Sequence, residues 1–80
     1  MMAKETKKGL AEALKKVQPK IVYGEPGKIR IEIPTCPYEI AISKDFLIVY
    51  ETVDSKGETI SAEEAEQSLI TYIKAMGARL

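Results

Sequence analysis

Lys28-Ile29-Arg30-Ile31-Glu32-Ile33 alternates charged residues with isoleucine without a break. That period of two is the mark of a strand with one face in the core and one in water. A helix built from these six residues would scatter the isoleucines around its circumference. Tyr38-Glu39-Ile40-Ala41-Ile42-Ser43 repeats the alternation, and Phe46-Leu47-Ile48-Val49-Tyr50 is apolar on both parities. Around these strands the chain is helical in pattern. Leu10, Ala13, Leu14 and Val17 fall on one helical face, which predicts a first helix over Lys4–Gln18, stopped by Pro19. Ser61 with Glu64 forms a capping box, and Ala65, Leu69, Tyr72, Ile73, Met76 and Leu80 follow as the buried stripe of a last helix.

The expected fold is therefore α+β, a single small domain over residues 1–80 in the order helix, four-stranded antiparallel sheet, helix. Both helices are expected on one face, making two layers. Lys20–Tyr23 is the first strand, and Pro26-Gly27 suits the centre of a type II turn. Parity in that hairpin pairs Val22 with an inward isoleucine and sends Ile21 and Tyr23 outward with Lys28, Arg30 and Glu32. A three-residue loop at Ser43-Lys44-Asp45, with Asp45 left-handed, pairs Ile42 with Phe46, Ile40 with Ile48 and Tyr38 with Tyr50. Leu47 and Val49 then fall on the outer face.

Composition excludes several chemistries. The chain has no histidine, which removes imidazole acid–base catalysis, Ser-His-Asp triads and the usual zinc sets. No glycine-rich phosphate loop is present. No catalytic constellation emerges, so the expectation is a protein that is not an enzyme. No apolar run approaches the ~18 residues of a membrane span, and the charged first residues, which lack an apolar core, are not expected to act as a signal peptide. A single cysteine, Cys36, closes no internal disulfide and fits a reducing, cytoplasmic setting. Asparagine is absent while Lys, Glu and Ile are plentiful, a thermophile-like composition. Net charge is zero but uneven: residues 1–20 carry +4, residues 21–50 carry −1 and residues 51–80 carry −3.

Two short stretches resemble known families. Cys36-Pro37-Tyr38 resembles the start of the glutaredoxin motif Cys-Pro-Tyr-Cys, but Glu39 stands at the resolving cysteine's place. Asp54-Ser55-Lys56-Gly57-Glu58-Thr59-Ile60-Ser61-Ala62-Glu63-Glu64 resembles an EF-hand calcium loop running into its exit helix, in degenerate form. Twelve residues ending at Glu64 begin at Val53 rather than an acid, and Glu58 replaces the loop's glycine. The resemblance implies a calcium site using Asp54, Glu58, Glu63 and Glu64, with no other cofactor.

Three functional readings follow. The leading one is a non-enzymatic binding domain, self-associating or a subunit of a complex, whose partner meets Ile21, Tyr23, Arg30, Leu47 and Val49 on the open sheet face. The second is a calcium module on the Asp54–Glu64 loop. The third is nucleic-acid binding through the lysines of the basic N-terminal helix, Lys7, Lys8, Lys15 and Lys16, with Tyr23 stacking a base.

Overall fold

A computed structural model describes residues 3–77; the side chains of Tyr23 and Glu25 also lie outside the described set. The elements are β1 (Ala3–Glu5), α1 (Leu10–Val17), β2 (Lys20–Glu25), β3 (Lys28–Glu32), β4 (Ile40–Ser43), β5 (Ile48–Tyr50), β6 (Thr52–Val53), β7 (Thr59–Ile60) and α2 (Ala62–Ala75). The class is α+β, as the alternation predicts. The main sheet has five strands rather than four, in the order β1-β5-β4-β3-β2, with every neighbouring pair antiparallel. A separate two-stranded ribbon, β6-β7, follows β5 in the chain and leads into α2. The expected pair of layers is thereby altered: α2 lies against β5 and β1, and α1 packs on α2.

The extra strand comes from the segment expected to start the first helix. Ala3, Lys4 and Glu5 pair with Tyr50, Val49 and Ile48, and the Thr6 amide continues the ladder to the Leu47 carbonyl at 2.9 Å. Gly9 separates strand from helix at φ 87°, a left-handed conformation that glycine adopts without a Cβ clash. Only from Leu10 does the helical stripe take over; Leu10 and Leu14 are fully buried. Gln18 closes α1 in the left-handed region, its amide returning to the Leu14 carbonyl at 3.0 Å, and Pro19 prevents continuation.

The β4–β5 connection departs from the expected register. Ile42 pairs with Val49, not with Phe46. The loop is built on the Ser43 hydroxyl, which donates to Asp45 Oδ1 at 2.6 Å and accepts the Leu47 and Ile48 amides at 3.1 and 3.0 Å. Phe46, rather than Asp45, takes the left-handed conformation at φ 64°. Its ring is buried, and that burial favours the arrangement against the conformational cost. Shifting the partner of Ile42 by three residues reverses the parity of β5. Val49 therefore enters the core at 0% exposure, while Ile48 and Tyr50 turn to the other face half-buried.

Ile29, Ile31, Ile33, Ile40, Ile42 and Val49 meet Leu10, Leu14, Leu69 and Ile73 in one buried cluster. On the opposite face, small residues of the central strand are roofed by long neighbours. Ala41 and Ser43 are buried there, flanked in register by Arg30 and Lys28, and the Lys28 ammonium lies 5.1 Å from the centre of the Tyr50 ring. At Glu51 the β5 ladder ends, and the Thr52 hydroxyl takes the Ala41 amide at 3.1 Å in place of a backbone carbonyl. Ser61 caps α2 by accepting the Glu64 amide at 3.1 Å, as its motif predicts. Met76 caps the other end at 57% exposure, outside the buried stripe; Leu80, expected to close that stripe, lies outside the described residues. No helix among the described residues is long and apolar enough to cross a membrane.

Candidate functional site

The five residues expected to form one partner patch are not brought together. Val49 is core, for the parity reason given above. Leu47 is 52% exposed but sits at the β5 end of the sheet, its carbonyl held by the Thr6 amide. Ile21 is on β2 at the far edge, three strands away. At ~4.8 Å per strand that separation is roughly 14 Å. Arg30 is half-buried mid-sheet, in register with Tyr23 on one side and Ala41 on the other. Tyr23 is in register with Arg30, and its side chain is outside the described set.

What the chain presents instead is the outer edge of β2, which pairs with no further strand among the described residues. A β-bulge lies between Ile21 and Tyr23: Ile21 pairs with Ile31 and Tyr23 with Arg30, leaving Val22 as the extra residue. The bulge overturns the expected parity. Ile21 joins the face of Ile31, whereas simple alternation places it with Arg30. The helices stop short of this edge, so Ile21 is 58% exposed and Val22 43%. Pro26-Gly27 closes the hairpin between Glu25 and Lys28, with Gly27 at φ 77° as a type II turn requires. Lys20 pairs in register with Glu32, their side chains 3.7 Å apart in solvent.

The sheet's other edge differs. β1 has three residues, and its Lys4 is drawn inward to Glu66 of α2, Nζ to Oε1 at 3.2 Å. Glu66 is fully buried, and its Oε2 accepts the Lys7 amide at 2.9 Å. Oε1 has no hydrogen bond of good geometry, so its pairing with Lys4 is Coulombic. Glu66 was legible in principle: it falls four residues after Ala62 and three before Leu69, on the buried stripe itself. A glutamate in a helix reads as solvated by default, and that default hid it.

The other sequence-predicted site residues make the following contacts within the fold. Asp54 Oδ1 accepts the Lys56 and Glu58 amides, both at 2.9 Å, and so fixes the β6-β7 turn. Glu58, Glu63 and Glu64 are exposed on the ribbon and the first turn of α2. Among the described residues no three acidic or cysteine side chains converge into a metal-holding group. Cys36 is half-buried against the core in the bend after Ile33. Tyr38 packs beside it and bonds Ser68 Oγ at 2.9 Å. Burial pushes the Tyr38 phenol above its ordinary pKa, with the Ser68 bond acting the other way. Of the four lysines assigned to the first helix, Lys7 and Lys8 precede it; Lys15, in the last turn, pairs with Glu12 at 3.7 Å.

Two depressions among the described residues bear on small-molecule binding. One of about 280 Å³, lined by Arg30, Tyr38, Glu39, Val53, Asp54 and Ser55, falls below the ~300–1,000 Å³ usual for small-molecule sites. Another of about 410 Å³ at the start of β2 is lined by Gln18, Pro19, Lys20, Glu32, Pro34 and Tyr72, and its charged groups are the solvated Lys20–Glu32 pair. Neither holds a buried charged group poised for chemistry. In comparisons with protein-family models, curated proteins and solved structures, the chain matches none.

Proposed function

We propose that this chain is a non-enzymatic interaction domain, self-associating or a subunit of a complex, that binds by adding a strand to the outer edge of β2. The observation that carries this reading is the exposure of Ile21 and Val22 on a six-residue edge strand whose outer side meets no other strand among the described residues. An edge of this kind presents a row of unpaired backbone donors and acceptors, the template for strand addition. Natural sheets blunt such edges when they are not used. β1 is short, and its lysine is engaged; β2 is twice as long and leaves two β-branched residues in water. The neighbouring strip of Lys28, Arg30 and Glu32 supplies a charged rim.

An amide-resolved NMR map tests the reading. Labelled protein is titrated separately with a fractionated protein extract, with calcium and with RNA or DNA. The reading expects shifts and broadening centred on residues 20–25 with protein. Shifts confined to residues 53–66 on adding calcium would replace it with a metal module at Asp54, Glu58, Glu63 and Glu64. Shifts centred on Lys7, Lys8, Lys15 and Lys16 with nucleic acid, weakening steeply with salt, would replace it with phosphate binding.

A further inference from the structure

We infer, building on the reading above, that the partner on β2 is a second copy of the same chain. The two β2 strands pair antiparallel about a two-fold axis that passes between Val22 and Tyr23. In that register Lys20 of one copy lies opposite Glu25 of the other, Ile21 opposite Gly24, and Val22 opposite Tyr23.

The bulge selects this register. In a regular strand, residues five apart lie on opposite faces, so Lys20 and Glu25 would be on opposite sides of the sheet. Here Lys20 is in register with Glu32 and Glu25 with Lys28, and those β3 partners, four apart, share a face. The extra residue at Val22 therefore gives positions 20 and 25 the register parity of one face. Ile21 and Gly24 are likewise in register with Ile31 and Ile29 and share the other face. Directly opposed residues of an antiparallel pair must lie on one face. An axis between two adjacent residues violates that condition in a regular strand. In this strand the register satisfies it at positions 20 with 25 and 21 with 24.

Two further features favour a second copy over an unrelated strand. An ordinary strand facing β2 meets one residue too many at Val22, as β3 does. A second β2 carries the same extra residue at the same place, so the two strands match residue for residue. The charges also alternate across the join. Register places Lys28 beside Glu25 within one copy and Lys20 beside Glu32 within the other. The row then runs Lys28, Glu25, Lys20, Glu32, positive and negative in turn, and the two-fold repeats it at the other end. The product is one ten-stranded sheet formed from two five-stranded ones. Six-residue strands bury less than the ~1,200 Å² of a standard interface, so the dimer is weak.

Sedimentation equilibrium from about 20 μM to about 1 mM should show the mean mass rising from one chain towards two. Lys20→Glu and Glu25→Lys each place like charges opposite one another twice per dimer and should each weaken association about tenfold. Mixing the two variants restores opposite charges at both positions, and the mixture should recover the wild-type midpoint. Lys20→Gln and Glu25→Gln, with smaller losses and partial recovery on mixing, because the mixed dimer regains one of the two Lys20–Glu25 pairs, serve where a reversal disturbs the hairpin. A wild-type mass of one chain at 1 mM overturns the inference. If extract still perturbs residues 20–25 in that case, the edge reading stands and only the second copy is lost; if it does not, both fall. Dimerisation indifferent to all four variants overturns the register.

Discussion

Glu66→Ala should cost about 2–4 kcal/mol, although the residue carries no activity in this account. The carboxylate has no exposed surface, and Oε2 holds the Lys7 amide at 2.9 Å. Losing that acceptor strands a partly buried N–H, worth about 1–3 kcal/mol, and leaves a small void in α2's packing face. The Lys4 ammonium adds less. Its side chain is 40% exposed and water can replace the carboxylate, so about 1 kcal/mol is its ceiling. A domain of eighty residues has a total stability of roughly 4–12 kcal/mol at 0.05–0.15 kcal/mol per residue. At the low end the variant is close to unfolded. Urea denaturation, with a slope near ~1 kcal/mol/M, should show the midpoint falling by about 2 M or more. Hydrogen exchange should show Ala3–Glu5 and Thr6 losing protection first, because Lys4 and Lys7 tether that segment to α2. Glu66→Leu should do less damage than Glu66→Ala, since both remove the buried charge but only leucine fills the void. A change under about 0.5 kcal/mol with β1 protection intact would refute the argument, because it would mean that neither contact holds the N-terminal strand.

Leu47→Lys should leave the melt cooperative and near wild type, whereas Val49→Lys should unfold the protein, because Leu47 is half in solvent and Val49 is sealed between Ile42 and β1; circular dichroism melts of the two single variants decide. The Asp45 carboxyl is held below its ordinary pKa, first by the Ser43 hydroxyl and then by the Leu47 amide. A lowered folded value stabilises above the unfolded pKa of about 3.9 and loses that contribution as pH falls through the folded value. Wild type should therefore exceed Asp45→Asn in stability near neutrality, and the gap should close in acid. A gap independent of pH would show that the carboxylate's charge does not organise the loop.

The strands centred on Ile29, Ile31, Ile40 and Ile42 were legible because alternation is enforced by a solvent boundary. The cap at Ser61 was legible because its chemistry is local. Three features were not. β1 has no apolar alternation, and Lys4 and Glu5 are better helix formers than strand formers. Its conformation is set by the open side of β5 and by Glu66, both distant in sequence. The parity of β5 rests on which residue of Ser43–Ile48 goes left-handed. Asp45 is the better candidate by backbone preference, but its carboxylate is taken by Ser43 and the Leu47 amide, and burial of the Phe46 ring decides. The bulge at Val22 has no turn residue or glycine to announce it, yet it moved Ile21 across the sheet and gave Lys20 the register parity of Glu25. The inserted residue took Ile21 out of the expected patch, as the β5 register took Val49, and it shapes the edge on which the functional reading rests.

Intermolecular contacts in an equal mixture of isotope-labelled and unlabelled protein at about 1 mM test that reading most directly. In an antiparallel pair, opposed Cα atoms lie ~4.5–5.5 Å apart, close enough for their protons to be seen together. The account predicts filtered cross-peaks between Ile21 of one copy and Gly24 of the other, and between Val22 and Tyr23. Cross-peaks arising instead from Leu47 or Met76, or a mixture that yields none while the mean mass doubles, would contradict it.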